Sequence, residues 1–427
     1  MRFLITVAYS GRGLRYWALA SHDGPARAAV ELSAGVVLLH APLAACRARW
    51  KALHVRLDPR PLSGSPFPRH EPAFFRTLHL RHKPTVHPSG AFTQEVHPEE
   101  RTRQPTLSCG ECPSRGMRCT VVGAGVSGLS CAERLLERGH EVEVVADKFS
   151  PDTVSDAAAA IWYPFLTAPA ERAEAWGVVT YAELERLARE VPESGVMMRD
   201  GREYHREIVE LPAWKDEIAA FRVLEDDEIA EGYVFGWEFR APVIEMPLYM
   251  PWLRSIVESK GGTFRQSFVT ELSELEGEVV INCVGLGARE LCGDEEVQPA
   301  RGQVIFLDQD PGIGHFDQQP ESLTYTIPRS DVTVLGGTAQ IGDWGMDIRE
   351  EDNEAILSKV EALWPDLDRS RIVGGTVGLR PSRTEVRLES EKVGGRTVIH
   401  NYGHGGAGVT LSWGCAEEVV EIVSQSA

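Results

Sequence analysis

The glycine-rich segment GAGVSG, residues 123–128, is the first part of the chain whose residue types and spacing indicate a chemical role. Glycines in such a turn permit a tight bend, let a pyrophosphate approach the backbone and let a helix pack closely on a strand. The helix that follows would direct unpaired N–H groups and a partial positive charge toward the diphosphate. Asp147 lies 19 residues after Gly128, where a carboxylate can accept hydrogen bonds from a ribose. The pattern predicts a dinucleotide-binding site, for which NAD and FAD remain alternatives.

A second glycine-rich segment, HNYGHGGAG at residues 400–408, lies near the carboxyl terminus. A predicted strand leads into it, and a predicted helix over about residues 409–424 leads out of it. A helix amino terminus preceded by bare backbone can stabilise negative charge on a flat ring, such as the N1–C2 carbonyl edge of a reduced flavin. An ordinary glycine loop is the alternative that these residues leave open.

The elements that would position these segments follow from the hydrophobic pattern. Predicted strands over residues 117–122 and 141–146 flank a predicted helix over residues 129–138, which completes a βαβ unit. The regular alternation stops after Asp147, and a long mixed segment precedes the next buried strand, EVVINCV at residues 278–284. Such a late return of the chain is typical of two-domain flavoproteins and favours FAD over NAD.

The segment at residues 400–408 resembles the HNYGHGG motif of the D-amino-acid oxidase family. Further segments in the family's order are Ala146-Asp147-Lys148, DAAAAIWYP at residues 156–164, Asn282-Cys283, Arg301-Gly302-Gln303, Tyr325-Thr326-Ile327-Pro328 and Gly378-Leu379-Arg380-Pro381. The similarity covers almost all of residues 117–427 and none of residues 1–116. It implies an α/β fold in which a Rossmann-like FAD-binding domain is interleaved with a mixed-sheet α+β substrate domain. The FAD-binding parts are expected at about residues 117–165, 265–300 and 370–427, and the substrate-domain parts at about residues 166–264 and 301–369.

The resemblance also implies non-covalently bound FAD and assigns residues to both ligands. The residues expected to bind FAD are Gly123, Gly125, Val126, Ser127, Gly128, Asp147, Lys148, Thr153, Ser155, Ala159, Ala160, Ile161, Val269, Gly405, Gly408, Val409 and Thr410. The residues expected to bind substrate are Arg380, Tyr325, Gly406 and Tyr163. Arg380 would hold a carboxylate with two parallel hydrogen bonds, Tyr325 would contact the same carboxylate, and the Gly406 carbonyl would accept from the amine. No side chain is assigned as a catalytic acid or base, and His400 and His404 are expected to hold the loop by hydrogen bonds.

The implied reaction is FAD-dependent oxidative deamination of neutral D-amino acids. Hydride transfer to flavin N5 would give an imino acid that hydrolyses to a 2-oxo acid and ammonia, while oxygen would be reduced to hydrogen peroxide. Two alternatives remain: an oxidase or dehydrogenase of D-aspartate, glycine or an N-methyl amino acid, and a flavoprotein without catalytic activity. The family's second active-site tyrosine is missing, because its two usual positions hold Glu321 and Ala339. Tyr163 is expected to narrow the side-chain pocket.

Length, composition and charge limit the number of domains and the classes of binding partner that the chain can have. The chain has 427 residues, of which 43% are hydrophobic, and this length suffices for two or three domains. It contains no run of about 18 apolar residues, so no membrane-spanning helix is predicted. The formal charge of −19 argues against nucleic acid or an anionic membrane as a partner. No metal site is expected, because the lone C-x-x-C at residues 109–112 has no second ligand pair. A D-amino acid and molecular oxygen are the expected partners, a cytoplasmic location is the default expectation, and a homodimer is left open.

The first 116 residues differ in character from the rest of the chain. They hold 16 Lys and Arg against 8 Asp and Glu, together with 12 of the 26 prolines. Proline removes a backbone donor and discourages helix continuation, and no predicted strand here is followed by a matching partner. We expect residues 1–116 to be a disordered or non-native extension, with Met117 as an alternative start.

Overall fold

The computed structural model describes residues 116–164 and 167–426, together with the backbone of five strands before residue 81. By their internal contacts the residues form two compact units, Met1–Thr106 and Leu107–Ala427.

The first unit contains short strands that pair with one another. They are β1 (Phe3–Ser10), β2 (Gly13–Leu19), β3 (Arg27–Leu32), β4 (Gly35–His40) and β5 (Arg76–Leu80). Strand β1 pairs antiparallel with β2 and β5, and β3 pairs antiparallel with β4. The sequence showed no strand with a matching partner here, whereas the structure pairs these strands. The expectation of a disordered or non-native extension concerns residues that lie largely outside the described part of the chain, and it stays a prediction.

The second unit is built on one sheet of 14 strands within the described residues. The strands are β6 (Arg118–Val122), β7 (Glu141–Ala146), β8 (Val196–His205), β9 (Phe221–Val223), β10 (Phe235–Ile244), β11 (Thr263–Gln266), β12 (Val279–Asn282), β13 (Gln298–Leu307), β14 (Gly314–Asp317), β15 (Thr324–Pro328), β16 (Thr333–Gly336), β17 (Gln340–Ile341), β18 (Ile372–Val393) and β19 (Arg396–His404). Their spatial order is β11-β7-β6-β12-β19-β18-β13-β16-β15-β14-β8-β10-β9, with β17 beside β13.

Five strands at one end of the sheet, β11, β7, β6, β12 and β19, run parallel to one another. Every residue of β12 is buried, which is the pattern of a parallel sheet covered on both faces. Strand β6, helix α1 (Val126–Glu137) and strand β7 form the βαβ unit that the sequence predicts. The helix begins three residues earlier than expected, because Gly125 already serves as its extended N-cap.

The long strand β18 joins this parallel half to an antiparallel half. Its residues 372–382 pair with β13, and its later residues pair with β19, with a shift of register between Ser382 and Arg387. Beyond β13 the pairs are antiparallel except that β14 and β8 are parallel. The second unit contributes strands to the parallel half at its beginning (β6 and β7), in its middle (β11 and β12) and at its end (β19), as interleaved domains would require. The boundaries of those domains remain a prediction.

Helices cover the faces of this sheet. Besides α1, those of the described residues are α2 (Ala170–Glu190), α3 (Met246–Ser259), α4 (Ala288–Leu291), α5 (Glu350–Leu363) and α6 (Gly408–Gln425). Gly414 of α6 lies so close to α2 that an added Cβ would come within 2.3 Å of the Trp176 carbonyl oxygen. This contact fixes α6, and with it the glycine loop that precedes α6. Within residues 116–164 and 167–426, none of the helices has the length and apolar character needed to cross a membrane.

Candidate active site

A cavity of about 960 Å³ lies at the carboxyl ends of the parallel strands. The predicted cofactor residues that line it are Gly123, Gly125, Val126, Ser127, Asp147, Lys148, Thr153, Ser155, Ala159, Ala160, Ile161, Val269, Gly405, Gly408 and Val409. The predicted substrate residues Arg380, Tyr325, Gly406 and Tyr163 line the same cavity. Gly128 and Thr410 do not reach it and lie behind its walls. Ligands of open α/β sheets bind at this edge, where the loops after the strands converge.

The turn after β6 requires glycine for two different reasons. Gly123 has a φ of +106°, and an added Cβ would lie 2.4 Å from the carbonyl oxygen of Cys283. Gly128 serves packing rather than the cavity, since its Cβ would lie 2.0 Å from the carbonyl oxygen of Gly123. Both contacts are with backbone atoms, so larger residues would displace α1 from the strands.

The loop after β7 is folded against the amino terminus of α1. The Asp156 carboxylate accepts hydrogen bonds from the backbone N–H and the hydroxyl of Thr153, at 3.0 and 2.5 Å. Ser155 Oγ in turn accepts a hydrogen bond of 2.9 Å from the N–H of Val126, the first residue of α1. Thr153 and Ser155 therefore line the cavity beside the glycine turn, and their expected role in binding FAD stays a prediction. Asp156 holds this loop but was not among the predicted site residues.

The segment at residues 159–161 crosses from the cofactor half to the antiparallel half. The Ala160 carbonyl accepts a hydrogen bond of 2.9 Å from the N–H of Ile244, and Ile161 forms a β-bridge with Val243. Ala160 has a φ of +56°, in the left-handed region where residues other than glycine are uncommon. These contacts hold the backbone of the segment in the wall of the cavity.

Arg380 lies on β18 at the junction between the two halves, opposite Ala300 of β13. Its guanidinium lies over Gly302, where an added Cβ would come within 2.2 Å of Nη1. Nη1 donates a hydrogen bond of 2.8 Å to the Thr338 carbonyl, and no carboxylate of the described residues pairs with the guanidinium. The Arg380 side chain also contacts Gly406, whose added Cβ would lie 3.4 Å from Cδ. The cavity therefore contains a cation that has no anionic partner within the described chain.

Tyr325 lies on β15, with its ring over the neighbouring strand β16. An added Cβ at Gly336 would lie 2.1 Å from the ring, and one at Gly337 would lie 2.8 Å from it. The side chain is buried in the cavity wall, and its hydroxyl bonds to no described residue. Glu321, at one usual position of the second tyrosine, is exposed and lies away from the cavity, whereas Ala339 lines it.

Tyr163 is held at its backbone and at its hydroxyl. Its N–H donates to Thr410 Oγ1 and its carbonyl accepts from the same hydroxyl, each at 3.1 Å. This pairing explains why Thr410 is buried behind the wall, although the sequence predicts that it lines the ring. The Tyr163 hydroxyl donates a hydrogen bond of 2.7 Å to Glu203, a buried residue of β8 that the sequence reasoning missed.

The two histidines of the carboxyl-terminal motif hold the loop, as predicted. His400 lies 2.8 Å from Glu391 Oε1 and 3.1 Å from Asn282, and His404 lies 3.0 Å from Asn401 Oδ1. Burial lowers the pKa of His400 and lowers that of His404 to about 4. Both imidazoles are therefore neutral at pH 7 and serve as structural groups.

The cavity fits FAD in its volume and in its donors. Ligand pockets commonly enclose about 300–1,000 Å³, and this cavity lies at the upper end of that range. Helices α1 and α6 both begin at its wall without a side-chain hydrogen bond from their N-caps and without an acidic residue in the first turn. Each can therefore direct backbone N–H groups and a positive dipole end toward an anionic or electron-rich group.

Comparison with known proteins identifies the family of this chain. Residues 118–422 match the family model "DAO: FAD dependent oxidoreductase". The chain is 44% identical over 321 residues to a D-amino-acid oxidase of Rubrobacter xylanophilus, an alignment that covers 73% of this chain and 98% of that protein. It is 37% identical over 325 residues to the D-aspartate oxidase of Homo sapiens, covering 72% and 95%.

The solved structure of glycine oxidase from Geobacillus kaustophilus shares the fold, with a TM-score of 0.61 at 18% identity over 73% of this chain and 95% of that one. The resemblance read from the separate sequence motifs is thereby confirmed. The chain belongs to the DAO family of FAD-dependent oxidoreductases, and FAD is its cofactor.

Proposed function

We propose that this protein oxidises neutral D-amino acids to 2-oxo acids and ammonia, with oxygen as the electron acceptor. The observation that carries the proposal is the Arg380 guanidinium, which lines the cavity without a carboxylate partner. The Tyr325 hydroxyl, free of other partners in the described chain, lines the same cavity. A fork of N–H donors with a nearby hydroxyl suits the carboxylate that every amino acid carries.

FAD would be held by the two glycine-rich segments, with its diphosphate toward the turn at residues 123–128 and its ring toward residues 405–409. When bound, FAD accepts the hydride of the substrate α-carbon and passes the electrons to oxygen, which gives hydrogen peroxide. The protein's own residues bind and orient the substrate. Arg380 and Tyr325 hold the carboxylate, and the Gly406 carbonyl accepts a hydrogen bond from the amine.

This grip at three points explains how one enantiomer is selected. The carboxylate and the amine each have a fixed partner, so only one hand of the substrate can direct its α-hydrogen at the ring. No side chain is needed as a general base if the amine binds as the neutral species. The neutral, buried His400 and His404 already have hydrogen-bond partners in the protein, Glu391 and Asn401, which supports leaving both imidazoles out of the proton transfer.

The preference for neutral substrates is supported by the charges of the cavity wall. Among the lining residues the cations are Arg380, Lys148 and Arg383. Arg383 is paired with Asp294 at 3.0 Å, and Lys148 lies next to the ribose position of the dinucleotide site. Near Tyr325 the wall is formed by apolar side chains, those of Phe316, Leu323 and Ile327. A second substrate carboxylate would find no additional cation there.

Oxidation of D-aspartate is the second candidate, because the human D-aspartate oxidase is 37% identical to this chain. One experiment separates the candidates: the purified FAD-loaded protein is mixed with D-alanine, D-methionine, D-aspartate, glycine and the L-enantiomers. Flavin bleaching and peroxide formation are followed for each. Turnover of D-alanine and D-methionine supports the proposal, and turnover of D-aspartate or glycine alone supports the alternative. A protein that no substrate bleaches would be a non-catalytic flavoprotein.

A further inference from the structure

Three ionisable side chains that the proposed reaction does not use are buried beside the cavity. Glu203 of β8 is 2% exposed, His205 is 4% exposed, and Asp317 of β14 is fully buried. Glu203 Oε2 accepts the hydrogen bond from the Tyr163 hydroxyl, and Tyr163 lines the cavity. A buried carboxyl is costly without a cationic partner, and no Lys or Arg of the described chain pairs with Glu203. The hydrogen bond from Tyr163 places this ionisable group directly behind the cavity wall.

Besides Tyr163, the groups that face Glu203 come from three strands. On its own strand, His205 Nε2 lies 3.5 Å from Glu203 Oε1. On the neighbouring strands Trp237 of β10 and Phe316 of β14 stand opposite Glu203, and neither carries a charge. Asp317 follows Phe316, is likewise buried, and its carboxylate contributes to raising the pKa of Glu203.

The cations of this region lie beside Asp317 rather than beside Glu203. Arg206 Nη2 is 3.8 Å from Asp317 Oδ2, and the Arg206 side chain is exposed. Lys359 Nζ is half-buried and donates hydrogen bonds to two backbone carbonyls, those of Leu323 and Gly337. Neither cation lines the cavity. The Tyr163 side of the wall therefore has a carboxyl behind it without a neutralising charge.

We propose that Glu203 sets the substrate preference of the cavity by disfavouring a second carboxylate beside Tyr163. The inference rests on the proposed function, since it requires a D-amino acid bound through Arg380. The Tyr163 hydroxyl donates its one hydrogen bond to Glu203 and therefore has no second O–H to donate to a substrate carboxylate. An ionised Glu203 would also repel that carboxylate across a poorly screened distance. A substrate whose side chain has the same shape but no charge is not repelled by Glu203 and does not need a hydrogen bond from Tyr163. Glu203 acts through Tyr163 and is a positioning residue.

The charge of Glu203 depends on pH within an accessible range. Burial raises the pKa of Glu203 to about 8, and the hydrogen bond from Tyr163 only partly offsets this rise. The carboxyl is therefore mostly neutral at pH 7 and mostly ionised at pH 9. If an acidic substrate is accepted only while Glu203 is protonated, the accepting fraction falls about tenfold between these values. Burial raises the pKa of Tyr163 and lowers that of His205, so both remain neutral throughout.

D-Glutamine and D-glutamate provide the test, because they have nearly the same shape and differ in charge. For the FAD-loaded enzyme, kcat/KM for each is measured from pH 7 to pH 9 by oxygen consumption. We expect the ratio of D-glutamine to D-glutamate to rise about tenfold in the wild type. In Glu203→Gln, where an amide oxygen can still accept from Tyr163, we expect the ratio to stay flat. Asp200→Asn removes an exposed carboxylate of the same strand, paired with Arg240, and should behave like the wild type.

A ratio that is flat in the wild type, or that rises equally in Glu203→Gln, would overturn the role of Glu203. If Glu203→Gln does not fold, the wild-type profile still decides, since a flat profile refutes the proposal and a tenfold rise supports it. If D-glutamate turns over too slowly, its inhibition constant against D-glutamine gives the same comparison. Absence of D-glutamine and D-methionine oxidation at every pH would instead refute the proposed function, so the two failures are distinguishable.

Discussion

Replacing Arg380 with alanine should raise the KM for a neutral D-amino acid about 100-fold while FAD stays bound. In the structure the guanidinium has one hydrogen bond, from Nη1 to the Thr338 carbonyl at 2.8 Å, so most of its donors are available to a substrate carboxylate. Truncating one partner of a buried charge pair costs about 2–5 kcal/mol. Arg380 is only half-buried, which favours a value of about 3 kcal/mol, and about 1.4 kcal/mol corresponds to a factor of ten.

The assay is anaerobic flavin reduction at increasing D-methionine, which separates substrate binding from the rate of reduction. Arg380→Lys keeps the charge but loses the fork of donors, so its KM should lie between those of wild type and Arg380→Ala. Arg371→Ala is the matched control, because Arg371 precedes the same strand, is exposed and lies 3.6 Å from Asp308. An Arg380→Ala protein that retains FAD and binds D-methionine within about twofold of the wild type would remove this residue from the substrate site.

Three further substitutions test other parts of the site. Tyr325→Phe should raise KM about 10- to 100-fold in the same reduction assay, because a hydrogen bond to a charged group contributes about 1.5–3 kcal/mol. An unchanged KM would show that the hydroxyl does not bind the carboxylate. Gly123→Ala should weaken FAD binding in a fluorescence titration, because an added Cβ would lie 2.4 Å from a backbone oxygen at a φ of +106°. Gly177→Ala is the control and should bind FAD normally, because Gly177 does not line the cavity and its added Cβ meets only ordinary contacts of 3.7 Å. Gly414→Ala should lower the free energy of unfolding by about 1–3 kcal/mol in a urea titration, because its Cβ would lie 2.3 Å from a carbonyl oxygen of α2. A Gly414→Ala protein as stable as the wild type would show that α6 can shift without cost.

The parts of the site that the sequence predicts are those that depend on local backbone requirements. Gly123 needs a positive φ and Gly128 needs close packing, and both demands recur at a fixed spacing before a helix. The same holds for the loop before α6. Such requirements involve residues that are close in sequence, so the motif and the family resemblance together predicted the two glycine-rich segments at the ends of the cavity.

The parts that the sequence did not predict depend on strand register over long separations. Tyr163 and Glu203 are 40 residues apart, and their hydrogen bond exists because β8 lies behind the segment that follows Ile161. A buried glutamate in a strand has no motif, so no local signal indicates its partner. Glycines within strands offer one usable signal: Gly302 marks the close approach of Arg380, and such glycines often indicate a neighbour at short distance.

The continuity of β18 has a mechanical consequence. One strand of 22 residues is hydrogen-bonded to the antiparallel half by its first part, near whose end Arg380 lies, and to the parallel half by its second part. A motion between the halves would have to bend the strand between Ser382 and Arg387, where its register shifts, because the residues on either side are hydrogen-bonded into the sheet. The Arg380 side chain also contacts Gly406, so the cation and the glycine loop lie together before any ligand binds. Substrate entry and product release would then depend on motion of the loops that connect the strands, while the sheet stays rigid.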